Sequence, residues 1–265
     1  MKIIYRACEK VNSVNGLPRA WGYSKRETIE LCFKSLVKAL EGKEYELHII
    51  GDSLSDDLIE FFKNTDPKAR VENYENLGNQ QSILKSYEKA DGFSDDDVIY
   101  FCEDDYLHFY PGFYAKSMSF MEMMKNGKSH FFFHPTDYPD QYSLNKIKKS
   151  YVLANAMGHF REVSSTTFTF MCYGKTYKKF SELFKDCAVH KHVIDPETKS
   201  VTIWDVGADD GRLSKIFGKE ALCFSPLPGV ASHCHEGTMS LFIEWDIVKE
   251  HVNQGFPDKL KIKVK

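Results

Sequence analysis

Val98-Ile99-Tyr100-Phe101-Cys102 is apolar at every position, and it runs without a break into Glu103-Asp104-Asp105. A strand with one wet face alternates polar and apolar residues, so a run without alternation has to be covered on both faces, as in a parallel sheet flanked by helices. The acids then fall at the carboxyl end of that strand, where open α/β sheets place their ligands. The same triplet can also serve as an ordinary solvated loop, and the rest of the chain has to separate the two readings.

The first half repeats short apolar runs separated by amphipathic segments, the pattern of βα units. Strands are expected at Lys2 to Ala7, Tyr45 to Gly51, Ala69 to Tyr74 and Asp97 to Cys102. Ser24 and Glu27 form a capping box ahead of Ile29, Cys32, Phe33, Leu36, Val37 and Leu40, and Gly42 ends that helix. A second helix follows Ser55, which suits its N-cap, and a third runs from near Asn79 to Ala90.

Further on, Pro111 opens a helix whose Phe113, Met118, Phe120, Met121 and Met124 read as core, and Phe131-Phe132-Phe133 reads as a buried strand. Residues 134–151 turn polar and carry Pro135 and Pro139, a composition of loops. Ser164 to Tyr173 is expected as a strand and Lys175 to Cys187 as a helix, while Thr202 to Ser214 passes from strand-like to helix-like. Lys259, Lys261, Lys263 and Lys265 alternate with Leu260, Ile262 and Val264, which fits an edge strand whose lysines discourage further pairing. Neither a repeat nor a linker interrupts the chain, and one domain over 1–265 is expected.

Composition narrows the classes. The 265 residues, 42% of them hydrophobic, can bury a large core, and a net charge of −3 gives no overall attraction to nucleic acid. Seven scattered cysteines without C-x-x-C spacing fit reduced thiols, and no apolar run approaches a membrane span. A soluble cytoplasmic protein is the expectation.

Clustered acids at a sheet end suggest a divalent metal with a phosphate-bearing substrate, since hard oxygen ligands hold Mg²⁺ or Mn²⁺ and those ions bind phosphate. The second strand ends in His48-Ile49-Ile50-Gly51-Asp52-Ser53-Leu54-Ser55-Asp56, and a carboxylate at that turn can accept hydrogen bonds from a base or ribose. Three segments together resemble the nucleotide-sugar-dependent glycosyltransferases of the GT-A fold, most nearly the family 2-like group. Ile49 to Asp56 resembles that group's strand ending in acids, glycine, serine and threonine. Asn76-Leu77-Gly78-Asn79-Gln80-Gln81-Ser82 is similar to its turn before the third helix, and Tyr100 to Asp105 to its strand followed by D-x-D. Gly51 stands where the group has the first acid of a pair, and Glu103 where it has the first aspartate of D-x-D.

The resemblance implies an α/β fold of GT-A type with a mostly parallel central sheet, residues 1–110 forming a nucleotide-binding half and 111–265 an acceptor-binding half and C-terminal segment. It implies that Asp52 contacts the base, Asp104 the ribose, and Asp105, with Glu103, a Mn²⁺ or Mg²⁺ that neutralises the diphosphate. Arg6 and Ala7 would line the nucleotide pocket, and Lys85 is a candidate diphosphate or base contact, although an exposed helical lysine reads equally as solvated. Asp209-Asp210-Gly211-Arg212-Leu213 is similar to the segment carrying the group's base, which places Asp210 in that role with Asp209 nearby; as an alternative, the pair simply favours a helix N-terminus.

Val230-Ala231-Ser232-His233-Cys234-His235-Glu236-Gly237 puts two histidines on one face of a strand. His235-Glu236-Gly237 resembles the His-x-Gly with which several relatives complete the metal shell, favouring His235 over His233. A histidine without a ligand role remains an open reading.

The expected activity is transfer of a sugar from a UDP- or GDP-sugar to the hydroxyl of a glycan or lipid-linked acceptor, with inversion. A weak contact between the terminal lysines and an anionic membrane surface is compatible with a lipid-linked acceptor. Two alternatives stay open: a non-catalytic nucleotide- or glycan-binding module of the same fold, and an S-adenosylmethionine-dependent methyltransferase, because Asp205-Val206-Gly207-Ala208-Asp209-Asp210-Gly211 also resembles that family's glycine-rich first motif.

Overall fold

The computed structural model describes residues 1–10, 17–143, 149–164, 166–186, 190–194, 197–198, 201–205, 213, 215–257 and 260. Four strands, β1 (Lys2–Cys8), β2 (Glu46–Asp52), β3 (Ala69–Tyr74) and β4 (Val98–Glu103), lie parallel in the order β3-β2-β1-β4. Helices α1 (Lys25–Ala39), α2 (Asp56–Thr65) and α3 (Gly78–Ala90) connect them.

β4 is covered on both faces, as its unbroken apolar sequence requires. Tyr100 and Cys102 join Tyr5, Phe33, Leu36 and Phe62 on the α1 and α2 face. Ile99 and Phe101 join Ile4, Ile50, Ile83 and Tyr87 on the α3 face. Each large side chain removed from water in this way contributes about 1.5–3 kcal/mol. The strand order runs outward from β1 in one direction to β3 and in the other to β4, so a topological switch point, where open α/β sheets place ligands, lies between β1 and β4.

Beyond β4 the sheet becomes mixed. After a short strand β5 (Tyr106–His108) and helix α4 (Phe113–Met124) come β6 (His130–Phe133), β7 (Val152–Asn155), β8 (Gly158–Val163) and β9 (Phe170–Tyr173). Helices α5 (Gly174–Lys179) and α6 (Ser181–Lys185), a hairpin of β10 (His190–Ile194) and β11 (Val201–Asp205), strands β12 (Ala221–Leu227) and β13 (Ala231–His233), and helix α7 (Trp245–Asn253) follow. The full order is β3-β2-β1-β4-β9-β6-β12-β8-β7, with β9 antiparallel between β4 and β6. The β6–β12 pair is parallel, whereas β8 pairs antiparallel with both β12 and β7.

Most of the expected elements are present, with boundaries moved by a residue or two. The Ser24–Glu27 capping box is formed. Ser55 precedes α2 but its hydroxyl makes no cap; it donates to Glu9 at 2.7 Å. The expected strand Ser164 to Tyr173 is restricted to its last four residues, and the expected helix Lys175 to Cys187 is broken at Phe180 into α5 and α6. The β7–β8 hairpin falls on a stretch with no clear alternation in sequence. The lysine-alternating C-terminus lies outside the described residues except Leu260. β11 pairs antiparallel with β10 and stands apart from the parallel sheet, which is not the setting of a cofactor-binding glycine turn after a parallel strand.

Gly51 has a steric reason. A Cβ there would strike Leu54 Cδ1 and lie 2.8 Å from Asn73 Oδ1, and Asn73 is committed to the Leu54 backbone at 3.0 Å on both its amide atoms. Gly51→Asp is expected to lower unfolding free energy by about 2 kcal/mol through overpacking. Urea denaturation checks this, and a variant as stable as the parent would show that the turn has room for the missing acid.

Candidate active site at the sheet switch point

Strand register assembles the site. Cys8 lies opposite Asp52, and Arg6 opposite Glu103, so the ends of β1, β2 and β4 bring their polar residues to one edge. Asp52 is buried and fully engaged: its Oδ1 accepts from Leu77 N at 3.0 Å and its Oδ2 from Gly78 N at 2.8 Å. Asn76, in the left-handed region at φ 52°, makes the turn that aims those amides, and asparagine tolerates this conformation better than most residues. The asparagine and glycine turn is therefore tied to the β2 acid.

Each acid of the triplet meets a different cation. Glu103 pairs with Arg6, which also donates to Asn79 at 2.9 Å and Ser82 at 3.2 Å. Asp104, buried, pairs with Lys25 at the start of α1 and accepts from Cys8 N at 2.9 Å. Asp105, also buried, faces His233 Nε2 at 3.4 Å and His235 Nε2 at 3.3 Å, with Arg19 Nη1 at 3.9 Å. Ala7 is buried in the core beneath this edge. Lys85 is engaged with Glu88 on its own helix at 2.7 Å.

The histidines arrive from the other end of the chain because β13 pairs antiparallel with β5, setting His233 opposite Tyr106 and stacking the two rings with centroids 5.0 Å apart. Cys234 N donates to Asp105 O at 2.8 Å and completes the fit. Both imidazoles are held from behind, His233 by Thr238 Oγ1 at 3.1 Å and His235 by the Leu17 carbonyl at 3.3 Å. Such outer contacts fix the orientation of metal-ligating histidines.

Asp105, His233 and His235 each offer one ligand atom, and the three atoms lie within 4.8 Å of one another. Asp105 Oδ1 is buried without a hydrogen-bond partner, a lone-pair site that a cation would satisfy. One carboxylate and two imidazoles suit a first-row divalent ion such as Mn²⁺, and less well the oxygen-seeking Mg²⁺. The structure thus brings both histidines to Asp105, whereas Glu103 lies with Arg6 outside this group. Asp209 and Asp210 lie outside the described residues. Sequence patterning missed Arg19 and Lys25, which have no motif of their own and reach the acids only through packing of α1 and β13.

Burial alone would raise the Asp105 pKa, but the charge of His233 outweighs it and holds the carboxyl well below its usual range. Burial likewise opposes protonation of His233, and Asp105 overcomes it, so the His233 pKa is raised. A raised histidine pKa stabilises the fold fully below the unfolded value of about 6.5, and the benefit disappears as pH rises through the folded pKa. The depressed Asp105 pKa acts at the acid end, its contribution vanishing as pH falls from about 3.9 through the folded value. In chelator-treated protein, stability is expected to fall between about pH 6.5 and the raised His233 pKa, and Mn²⁺ binding to strengthen across the same interval as the metal displaces a proton. Thermal unfolding with EDTA or Mn²⁺ at stepped pH measures both; identical pH profiles for the parent and His233→Gln would remove the pair from this account.

No helix among the described residues is long and apolar enough to cross a membrane. No family model and no curated protein matches the chain. It is similar to several solved structures. One is the galactosyltransferase LgtC with donor and acceptor sugar analogs, 11% identical, covering 84% of this chain and 73% of that one at a TM-score of 0.41. Another is S. aureus TarS 1-349, 10% identical, covering 85% of this chain and 59% of that one at a TM-score of 0.46. A third is a UDP-glucose pyrophosphorylase complexed with UDP-glucose, 11% identical, covering 96% and 98% at a TM-score of 0.43.

Proposed function

We propose that the chain is a metal-dependent glycosyltransferase that moves a sugar from a UDP- or GDP-sugar to a hydroxyl of a glycan or lipid-linked acceptor, with inversion. The observation that carries this reading is the convergence of Asp105, His233 and His235 at the β1–β4 switch point, beside Asp104 and ringed by Arg6, Arg19 and Lys25. In this reading Asp105, His233 and His235 hold Mn²⁺ or Mg²⁺, and Glu103 orients Arg6. Asp104 receives the ribose, and Asp52, Arg6 and Ala7 shape the nucleotide pocket, Asp52 chiefly by fixing the turn before α3. Lys85 has the weakest claim of the proposed contacts.

When bound, the ion neutralises charge building on the departing diphosphate. The chain's own cations serve the same end: Arg6 and Lys25 are partly buried, where a positive charge acts more strongly than in water. Asp210 takes the proton of the acceptor hydroxyl as its oxygen bonds to the anomeric carbon, while the bond from that carbon to the diphosphate oxygen breaks on the opposite face. The N-terminal half, 1–110, supplies the nucleotide contacts and residues 111–265 the acceptor side, with His233 and His235 joining the two.

Asp105→Asn keeps the shape and removes the charge. It is expected to weaken Mn²⁺-dependent binding of UDP or GDP by more than about 10-fold in calorimetry. Asp210→Asn is expected to leave that binding intact while lowering turnover by a factor of about 100 or more. Unchanged affinity in the first variant overturns the metal site. Metal-dependent nucleotide binding without diphosphate release from any sugar donor would assign the chain to the binding-module class.

A further inference from the structure

Two atoms of the candidate metal centre, Asp105 Oδ2 and His235 Nε2, converge on one buried cation. The Leu17 carbonyl, 3.3 Å from His235 Nδ1, only accepts, and the Arg19 guanidinium, 3.3 Å from His235 Nε2, only donates, so both contacts are met together with the hydrogen on Nδ1 and the lone pair on Nε2. Asp105 Oδ2 lies 3.3 Å from the same Nε2. Two electron-rich atoms hold such a position when a positive charge lies against both. In the structure that charge is the guanidinium of Arg19, whose Nη1 is 3.3 Å from His235 Nε2 and 3.9 Å from Asp105 Oδ2.

Arg19 is built into this place. It is 5% exposed, and its backbone forms an antiparallel bridge with His235, flanked by hydrogen bonds from Ala20 N to Cys234 O and from Glu236 N to Pro18 O, both at 3.0 Å. A divalent ion ligated by Asp105 Oδ2 and His235 Nε2 would sit about 2.0–2.2 Å from each atom, against the guanidinium that now uses the same two atoms. Like charges that close, in a buried site, cannot coexist without further anions.

We propose that Arg19 is the resident counter-cation of this centre, that the metal displaces it, and that the donor diphosphate receives the displaced guanidinium, so that metal and diphosphate bind as a coupled pair. The planar guanidinium suits phosphate oxygens in a forked geometry, which a displaced buried arginine needs. The coupling is reciprocal: each ligand raises affinity for the other by the same factor. This inference rests on the metal and diphosphate site proposed above and adds a role for Arg19 that the site alone does not contain.

Calorimetric titration of the full chain with Mn²⁺ alone, with inorganic pyrophosphate alone, and with Mn²⁺ in the presence of pyrophosphate tests it. Solution complexes of Mn²⁺ with pyrophosphate are common to all proteins compared, so differences between variants belong to the protein. Arg19→Gln is expected to bind Mn²⁺ alone about 10-fold more tightly than the parent and to lose most of the enhancement that pyrophosphate gives the parent. Arg19→Lys keeps one charge without the fork; it is expected to retain weak binding of Mn²⁺ alone with a smaller enhancement, and it carries the test if Arg19→Gln does not fold. Equal affinity of parent and Arg19→Gln for Mn²⁺ alone overturns the role of Arg19 and leaves the metal site standing. Failure of the folded parent to bind Mn²⁺ with or without pyrophosphate removes the site itself, and this inference with it.

Discussion

Three consecutive carboxylates leave a strand that is apolar on both faces, and two of them, Asp104 and Asp105, are buried where a charge needs compensation. Much of the arrangement around the switch point answers this one electrostatic demand. β1 places Arg6 beside Glu103, the first turn of α1 places Lys25 beside Asp104, and β13 brings two imidazoles to Asp105 with Arg19 behind them. Unpaired charges in such surroundings would neutralise or reorganise, and at Asp105 the charge of His233 holds the carboxyl well below its usual range, in the ionised form that a cation recognises.

The three pairs are not equivalent. Glu103 and Asp104 are compensated from the same half of the chain, by neighbours that the parallel sheet and its first helix deliver. Asp105 instead shares one oxygen among two histidines and an arginine while its second oxygen stays unpartnered. That asymmetry separates the acid suited to an exchangeable cation from the two whose partners are part of the folded frame.

The βα pattern of the first hundred residues was legible because each signal there is local: an apolar run, a capping box, a glycine. Asp104 and Asp105 were recognisable for the same reason, since strand position alone exposes them. The His-x-Gly resemblance alone favours His235 over His233, since strand geometry shows that both share a face but not what lies across from them; the β5–β13 pairing and the turn after it place both against Asp105. Arg19 and Lys25 left no trace in the pattern, their positions being set by contacts with residues 216 and 79 positions away. The helix expected over Lys175 to Cys187 breaks at Phe180, whose ring is buried in the α3-side core, so tertiary packing overrode a continuous helical signal.

The short β5–β13 ladder also has a bearing on how the protein is made. Asp105 and His235 are 130 positions apart, and closing so long a loop is slow compared with forming the adjacent βα units. As the chain emerges from the ribosome, the β1–β4 sheet is able to collapse while Asp105 still lacks both imidazoles. Asp105 thus acquires its two imidazoles last, when the C-terminal strand docks. Assembly of the reactive edge is in this way timed to completion of the chain, and a polypeptide that stops short of Ala231 keeps the sheet's sequence but not its cation-binding chemistry.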